Sequence, residues 1–384
     1  MARPSLPALS LVHHFASLTD PRLRRRRRHQ LLDIIAIAIC AVICGCKSWK
    51  EVAVYGRKKA DWLRTFLELP GGIPSKDTFR RVFARIKPAA FQACFASWMQ
   101  ALAATLGVKQ IAIDGKTARR SHDRGIGRSA LHLVSAWATA NHLTLGQVAV
   151  SDKSNEIAAI PRLLELLDLS GAIVTIDAIG CQKEIARQVR EGGGHYVLAV
   201  KENQGRLLED VRACFAAELD KADGQGSYSY HETVERGHGR CERRQYYTID
   251  SPSGIRDQAL WEDLQAISMV VSERQVAGEE ATSEVRYYIG SKPGSAKDYA
   301  GYVRGHWGIE NSLHWVLDMV FDEDRSRTRK GHGQENFALL RRLAVSVLKN
   351  AKSCEGSIRC KQLQAILDDE VLEDMLRMFF GKLR

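Results

Sequence analysis

Two apolar runs in this sequence each end at a single aspartate. This pair of segments constrains the fold more than any other feature. The first run, QIAID, spans residues 110–114, and the second, AIVTID, spans residues 172–177. Both are short and rich in β-branched residues, which is typical of strands buried in a sheet. The sequence therefore predicts strands that deliver Asp114 and Asp177 to their carboxyl ends.

Further strand and helix patterns surround these two runs. Residues 130–140 and 143–152 predict two strands joined by a tight turn, and residues 195–204 predict another strand. Amphipathic patterns at 155–169 and 182–193 predict helices between the later strands. Three strands followed by helix-connected strands predict a mixed sheet with helices on its faces. In such a sheet the two aspartate-bearing strands can lie side by side.

The sequence changes character along its 384 residues, and these changes predict its domains. Helical patterns fill residues 10–98, whereas strand patterns begin at residue 109. We expect an α/β fold preceded by a small all-α domain. The predicted divisions are a helical N-terminal domain at 1–105, the first part of the main core at 106–204, a mostly β insertion at 205–290, and C-terminal helices at 291–384 that complete the core.

Positive charge is the second constraint on what this chain does. Lysine and arginine number 56 against 45 acids, and a net charge of +11 favours a polyanion such as nucleic acid as the partner. The helical pattern at 75–86 places basic residues opposite its apolar face, which favours DNA contact by the N-terminal domain. A run of five arginines is a further candidate for DNA contact: Arg24, Arg25, Arg26, Arg27 and Arg28. The alternative for this run is a solvated, flexible block of charge.

Cysteine usage and hydropathy indicate the compartment. The nine cysteines are scattered without paired zinc spacing, which predicts reduced thiols and no structural zinc. The N-terminus lacks the pattern of a secretory signal. The longest apolar run, at 34–46, is shorter than the roughly 20 residues that a membrane span needs. We therefore expect a cytoplasmic protein with no membrane partner.

Two carboxylates at one edge of a sheet need a neutralising partner, because like charges held close together repel. Oxygen ligands in this setting suit Mg²⁺ or Mn²⁺, and pairs of such ions promote phosphoryl transfer. The helical pattern at 304–315 offers Glu310 as a third ligand. The nearby acids Asp322, Glu323 and Asp324 are the alternatives to it. For each aspartate taken alone, the alternative is an acid that caps the following turn.

The chain resembles the DDE-type insertion-sequence transposases of the H-repeat-associated group. Three segments carry the resemblance: AIDGKTARRS, TIDAIGCQKEIARQVREGGGHYVLAVKENQ, and GHWGIENSLHWVLDMVFDEDRSRTRKGHGQENFALLRRLAVSVLK. The N-terminal segments DPRLRRRRRHQLLDIIAIAICAVICGCKSWKEVAVYGRKKADWL and LPGGIPSKDTFRRVF resemble the domain associated with that group. The resemblance covers almost the whole chain. It implies an RNase H-like mixed sheet with a β-rich insertion, and a metal-binding triad of Asp114, Asp177 and Glu310.

The surroundings of Glu310 carry further expectations. Related transposases have a Tyr, Arg, Glu, Lys signature here. Tyr302 and Arg304 are the candidates for its tyrosine and arginine, but their spacing departs from the signature. At the expected spacing, His306 stands in place of the arginine and Leu317 in place of the lysine. His306, Glu310 and His314 share one helix face, so a zinc site is an alternative interpretation. Trp307 and Trp315 are expected in the core rather than in contact with bases.

Positive and polar side chains near the predicted acids are candidates for phosphate contact, which gives affinity without reading sequence. They are Lys116, Arg119 and Arg120 behind the first aspartate, Lys201 and Asn203 after a strand, Arg304, His306, Asn311 and His314 on the last helix, and Arg325 and Arg327 in a charged loop. The alternatives are a polar turn for the strand-end residues and a solvated loop for the arginines.

The resemblance implies a transposase that binds the ends of its mobile element as a homo-oligomer on double-stranded DNA. Cleavage with Mg²⁺ or Mn²⁺ would be followed by attack of the freed 3′-hydroxyl on target DNA. Two rival functions remain open on the sequence alone. One is a transposase-derived DNA-binding protein that has lost catalysis, and the other is a different RNase H-like nuclease.

Overall fold

The computed structural model describes residues 11–121, 130–150, 156–221, 226–237, 239–276, 278 and 280–380. Within these residues the strands are β1 (Gln110–Ala118), β2 (Leu131–Ala138), β3 (Leu143–Val150), β4 (Ile173–Ile176), β5 (His195–Val200), β6 (Ser229–Gly237), β7 (Arg240–Asp250), β8 (Ala266–Val276) and β9 (Thr282–Gly290). They form one mixed sheet in the order β3-β2-β1-β4-β5-β9-β8-β7-β6. The prediction of a mixed α/β fold is confirmed.

The helices are distributed along the whole described chain. They are α1 (Leu11–Phe15), α2 (Leu31–Ile43), α3 (Trp49–Lys58), α4 (Ala60–Leu63), α5 (Lys76–Phe83), α6 (Pro88–Leu106), α7 (Glu156–Leu164), α8 (Lys183–Glu191), α9 (Gly205–Leu219), α10 (Ala296–Ile309), α11 (Trp315–Met319), α12 (Gly333–Asn350), α13 (Ile358–Leu367) and α14 (Asp369–Phe380). Among them, no helix has the length and apolarity to cross a membrane.

The strands that carry the two aspartates are neighbours, as the sequence predicts. β1 and β4 pair in parallel, with Gln110 opposite Ile173 and Ile113 opposite Ile176. β5 pairs in parallel with the other edge of β4, whereas β2 and β3 form an antiparallel pair. Strands β6 to β9 lie where the sequence predicts a β-rich segment, and they extend the same sheet beyond β5.

The chain forms two compact units that interleave along the sequence. Unit 1 comprises Met1–Val108, Gly115–Leu167 and Ile309–Arg384, and unit 2 comprises Lys109–Asp114 and Asp168–Gly308. The core of unit 2 is the packing of α10 on the sheet, because apolar residues of this helix, including Tyr299 and Val303, cluster with buried residues of β4, β5, β7, β8 and β9.

The core of unit 1 contains buried strands and a set of aromatic contacts between helices. The ring of Trp49 on α3 stacks on Phe83 of α5 at a centroid distance of 4.6 Å, and it meets Phe337 of α12 edge to face at 4.7 Å. Helix α2 is apolar on nearly every face, and all of its residues from Asp33 to Ile43 are buried. A helix that is apolar all round belongs inside a protein, so this run is a core helix, as its length predicts.

The helix predicted from the pattern at 304–315 is interrupted in the structure. Residues Glu310–His314 form a π-helical segment between α10 and α11, in which the Trp315 N–H donates to the carbonyl of Glu310. Trp307 packs against the core of unit 2. The prediction that Trp315 is a core residue is wrong, because 58% of this side chain is exposed. The extra residue of a π turn shifts the helical face, which a 3.6-residue pattern does not anticipate.

A buried ion cluster joins three elements of unit 1. Arg342 of α12 donates from Nη1 to Oε1 of Glu323 at 3.0 Å and from Nε to the hydroxyl of Ser135 on β2 at 3.1 Å. Arg341 approaches the same carboxylate at 3.7 Å. Burial alone would raise the pKa of Glu323, but the guanidinium groups of Arg342 and Arg341 outweigh burial and lower it.

Removal of this buried negative charge should destabilise the protein. We expect Glu323→Gln to lower the free energy of unfolding by about 3 kcal/mol or more, because two buried guanidinium groups lose their counter-charge. The measurement is urea unfolding at neutral pH. Exposed Glu355 provides the control, since Glu355→Gln should change the value by less than about 0.5 kcal/mol. Equal effects of the two substitutions would contradict the assignment.

The same cluster predicts a pH dependence. Because the pKa of Glu323 is lower in the folded protein than its ordinary value, its contribution is fully present above the ordinary glutamate pKa of about 4.3 and is lost as pH falls through the folded value. We expect the difference in unfolding free energy between wild type and Glu323→Gln to be constant near neutral pH and to shrink below pH about 4. A difference that grows on acidification would have the wrong sign.

Candidate active site

Two aspartates of unit 2 lie directly after the last paired residues of β1 and β4. The prediction that Asp114 ends its strand is wrong, because β1 continues to Ala118, whereas Asp177 directly follows β4. Asp114 follows Ile113 and Asp177 follows Ile176, and those two isoleucines are opposite each other in the register of β1 and β4. Neighbouring strands are about 5 Å apart. Both aspartates are half-buried. The register therefore brings two carboxylate-bearing residues to one edge of the sheet.

The turn after β4 fixes Asp177. Its Oδ1 accepts the backbone N–H of Ile179 at 3.2 Å and so caps a short 3-10 helix, Ala178–Gly180. The loop after β5 supports the same turn, because the side-chain amide of Asn203 donates to the carbonyl of Ala178 at 2.7 Å. Capping is the alternative role that the sequence left open for this acid. A carboxylate has about four lone-pair sites, so one cap contact is compatible with metal coordination.

Helix α10 lies on the sheet face to which the two aspartate positions belong. Residues 110, 112 and 114 alternate onto one face of β1, and residues 175 and 177 follow the same alternation along β4 and its end. On this face, the Gln110 side-chain amide donates to the carbonyl of Tyr302 at 2.7 Å. Nδ1 of His306 lies 3.1 Å from the hydroxyl of Thr175.

A glycine permits this close approach of helix and strand. A Cβ at Gly305 would lie 2.2 Å from Oε1 of Gln110. No real side chain tolerates such a distance, so the helix could keep its position only if Gln110 moved. Sequence reasoning missed Gln110 and Thr175, because isolated polar residues in a strand pattern carry no signal of what lies above them.

The two aspartates suit a hard divalent cation. Carboxylate oxygens are the ligands that Mg²⁺ prefers, and the ion commonly uses one or two of them together with water. Across the described ranges, no group of three or more His, Cys, Asp or Glu side chains is arranged to hold a metal ion. The structure of unit 2 therefore supplies two carboxylates of a suitable kind, and their role as metal ligands stays a prediction.

The three alternative acids of unit 1 all have basic partners. Asp322 pairs with Lys47, Glu323 pairs with Arg342 in the interior, and Asp324 lies near two basic residues of β1 and the turn after it. Their negative charges are compensated by these partners within the protein.

Two of the predicted phosphate contacts behind Asp114 are engaged with carboxylates. Lys116 is 8% exposed, and its Nζ lies 2.7 Å from Oδ1 of Asp318 and 3.5 Å from Oδ1 of Asp324. Arg119 is far more exposed, and its backbone N–H donates to Asp324 at 3.1 Å. Burial raises the pKa of Asp318, an effect that Lys116 partly offsets. DNA contact by these two residues stays a prediction.

The remaining predicted DNA contacts occupy varied positions. Arg304 pairs with Glu235 at 2.7 Å, and His314 is half-buried within the π-helical segment. The exposed ones are Arg24, Arg25, Arg27, Arg28, Lys201, Asn203, Asn311, Arg325 and Arg327. The side chains of Arg26 and Arg120 lie outside the described part of the structure.

Comparison with known proteins gives consistent matches. A family model described as "Transposase DDE domain" matches residues 107–347, and one described as "DDE_Tnp_1-associated" matches residues 12–99. The chain is 38% identical over 370 residues to "H repeat-associated putative transposase YhhI" of Escherichia coli (strain K12), covering 95% of this chain and 97% of that protein. It is 45% identical over 282 residues to "Uncharacterized protein in dhlA 3'region" of Xanthobacter autotrophicus, covering 72% and 92% respectively.

The solved structures that match include one of low similarity. It is a cryo-EM structure of the piggyBac transposase synaptic complex with hairpin DNA. The TM-score is 0.43 at 10% sequence identity, covering 98% of this chain and 78% of that one. A likeness at this level supports no conclusion about this chain.

The contact between Gly305 and Gln110 generates a prediction with an internal control. We expect Gly305→Ala to lower the free energy of unfolding by about 1–3 kcal/mol, because the added methyl group collides with Gln110. Gly301 lies on the same helix with open space around its Cβ position. Gly301→Ala should be neutral or stabilising by up to about 1 kcal/mol, since alanine is the better helix former. Chemical unfolding of both variants is the measurement, and equal responses would contradict this packing of helix on strand.

Proposed function

This chain belongs to the DDE transposases of the H-repeat group, and on that premise we propose that it cuts DNA at the ends of its mobile element and joins those ends to target DNA. The observation that carries the proposal is the aligned position of Asp114 and Asp177, which directly follow the paired residues Ile113 and Ile176 of β1 and β4. Carboxylate oxygens held near one another are the ligands that Mg²⁺ prefers in proteins.

Glu310 is the third carboxylate that we propose. Helix α10 runs in the same direction as β1 and β4. Tyr302 contacts Gln110 near the start of β1. One helical turn later, His306 contacts Thr175, which is opposite Ala112, two residues further along β1. Glu310 comes one further helical turn along the chain, about 6 Å of rise. The assignment of Glu310 is supported by this position along the chain and by the match of the segment around it to the transposase DDE model.

The local helix geometry also supports this choice. Glu310 is exposed and opens the π-helical segment Glu310–His314. Single π turns within α-helices occur frequently at functional sites. The alternative zinc site, through His306 and His314, is less well supported because it does not account for the aligned aspartates, whose oxygen atoms suit Mg²⁺ or Mn²⁺.

Under this proposal the chain's residues have distinct tasks. Asp114, Asp177 and Glu310 hold Mg²⁺ or Mn²⁺, and Asn203 steadies the turn that carries Asp177. When bound, the ions would activate the attacking oxygen and stabilise the leaving oxygen of the phosphodiester. Water displaces the 3′ oxygen of the element end, which leaves a 3′-hydroxyl. That hydroxyl then displaces a 3′ oxygen of target DNA, so one P–O bond forms as another breaks and no covalent enzyme intermediate is needed.

The predicted basic residues would bring DNA to this chemistry. Lys116 and Arg119 would exchange their carboxylate partners for phosphates, and the exposed Lys201 lies beyond the carboxyl end of β5 in the same unit as the aspartates. Such contacts give affinity without sequence information. Because two element ends must be joined in one event, we propose that the protein acts as a homo-oligomer on the DNA of the bacterial nucleoid.

A cleavage assay tests the proposal. The substrate is a plasmid that carries the DNA flanking this gene, with Mg²⁺ or Mn²⁺ present. We expect wild-type protein to nick at the element ends, and Asp114→Asn, Asp177→Asn and Glu310→Gln to lose cleavage while retaining DNA binding. Asp322→Asn is the matched control, because Asp322 pairs with Lys47 and asparagine tolerates its positive φ of 51°. This control should still cleave.

The outcomes separate the rival functions. Cleavage that survives Asp114→Asn would overturn the site. Tight DNA binding without cleavage under either metal would instead assign the chain as a transposase-derived DNA-binding protein. Preference for RNA–DNA hybrids or branched junctions over element ends would assign it as a different nuclease of the same chemistry.

A further inference from the structure

We propose that helix α5 and the loop that precedes α12 together form one surface that binds the phosphate backbone of a DNA duplex. We call it the basic surface. It consists of Lys76, Arg80, Arg81 and Arg85 in and just after α5, and of Arg325, Arg327 and Lys330 in the loop, all of them exposed. The inference deepens the proposed function, on which it rests for the identity of the polyanion.

The packing of α5 determines which of its faces is exposed. Phe79, Val82 and Phe83 are fully buried, and Trp49 stacks on the ring of Phe83. The hydroxyl of Ser75 caps the helix by accepting the N–H of Thr78 at 3.2 Å. With its apolar side fixed in the core and its first turn capped, the helix presents its basic side outward as a rigid element.

The end of the loop is attached directly to α5. The His332 N–H donates to the carbonyl of Ala84 at 3.0 Å. Gly331 has a φ of 54°, and a Cβ there would lie 2.4 Å from the same carbonyl oxygen, so the contact depends on glycine. Asn336 of α12 donates from its buried amide to the carbonyls of Phe83 at 2.7 Å and Ile86 at 3.0 Å.

The start of the loop is anchored by the buried ion cluster. Glu323 begins the 3-10 turn Glu323–Arg325, and its carboxylate is held by Arg342 at 3.0 Å. Segment 325–330 therefore runs between two fixed points. A loop tied at both ends loses less conformational entropy on binding than a free one, so its arginines can contribute more of their contact energy to affinity.

The chemistry of the basic surface selects a phosphate polymer. Segment 325–330 reads RSRTRK and contains no acid. On α5, Asp77 pairs with Arg80 at 2.9 Å and offsets only one of the cations. Most of the cations are arginines, whose planar fork matches phosphate oxygens. Within residues 75–87 and 322–333, no large apolar side chain is exposed, which argues against an apolar protein partner or membrane insertion.

Paired substitutions test whether helix and loop act as one surface. The helix variant is Arg81→Gln with Arg85→Gln, and the loop variant is Arg325→Gln with Arg327→Gln. The control is Lys352→Gln with Arg359→Gln, which removes the same charge beyond the far end of α12, a helix of 18 residues and hence about 27 Å long. The probes are a duplex from the DNA flanking the gene and an unrelated duplex of equal length, with binding measured over a range of salt concentrations.

Each pair should weaken binding to both duplexes and reduce the salt dependence. At about 0.9 per phosphate contact, we expect the slope of log affinity against log salt to fall by about 1.8 for either pair and by about 3.6 for the fourfold variant. The control should keep the wild-type slope. Unfolding curves establish that all variants are folded.

Every departure from this pattern overturns the inference. Unchanged salt slopes in all variants would show that these residues do not bind DNA. An effect of only one pair would show that the helix and the loop do not act together. A loss confined to the flanking duplex would mean base reading instead of phosphate contact. Asp114→Asn should bind with the wild-type slope. If wild-type protein binds DNA through this surface but never cleaves it, the proposed function is wrong and the basic surface is supported. If wild-type protein cleaves DNA and the variants bind DNA normally, the proposed function is supported and the basic surface is wrong.

Discussion

The parallel register between β1 and β4 is the constraint on which the proposed chemistry depends. Side chains alternate along a strand, so a slip of one residue would send one aspartate position to the opposite face of the sheet. The observed register places Ile113 opposite Ile176 and thereby aligns Asp114 with Asp177. Polar contacts from α10 to Gln110 and Thr175 are specific to this face. The helix therefore favours the same register that the acids require.

Much of this arrangement can be predicted from the sequence because its signals are local. The runs that end at Asp114 and Asp177 are apolar and β-branched, and the chain between them is long enough for the crossover that parallel pairing needs. The helical patterns at 155–169 and 182–193 correspond to α7 and α8. Predictions that rest on the composition of a single segment were confirmed where they concerned the existence and type of an element.

Other features could not be predicted, because they depend on partners distant in sequence. The loop at 322–330 has the mixed charge of a solvated loop, yet Glu323 is buried against Arg342 of α12. Lys116 was expected to face DNA but is nearly buried beside Asp318. The π-helical segment at Glu310 leaves no trace in hydrophobic spacing. In each case the structure is determined by a specific ion pair or backbone turn. The periodicity of apolar residues carries no information about such interactions.

A basic surface built apart from the carboxylates resolves an electrostatic conflict. A site that binds a divalent cation through carboxylates repels DNA until the cation is bound, so it cannot supply the affinity for its own substrate. The chain's net charge of +11 is therefore most useful on separate elements. Helix α5 and the loop at 325–330, both tied to the core of unit 1, meet that requirement, since the contacts that orient their basic residues are independent of the aligned aspartates.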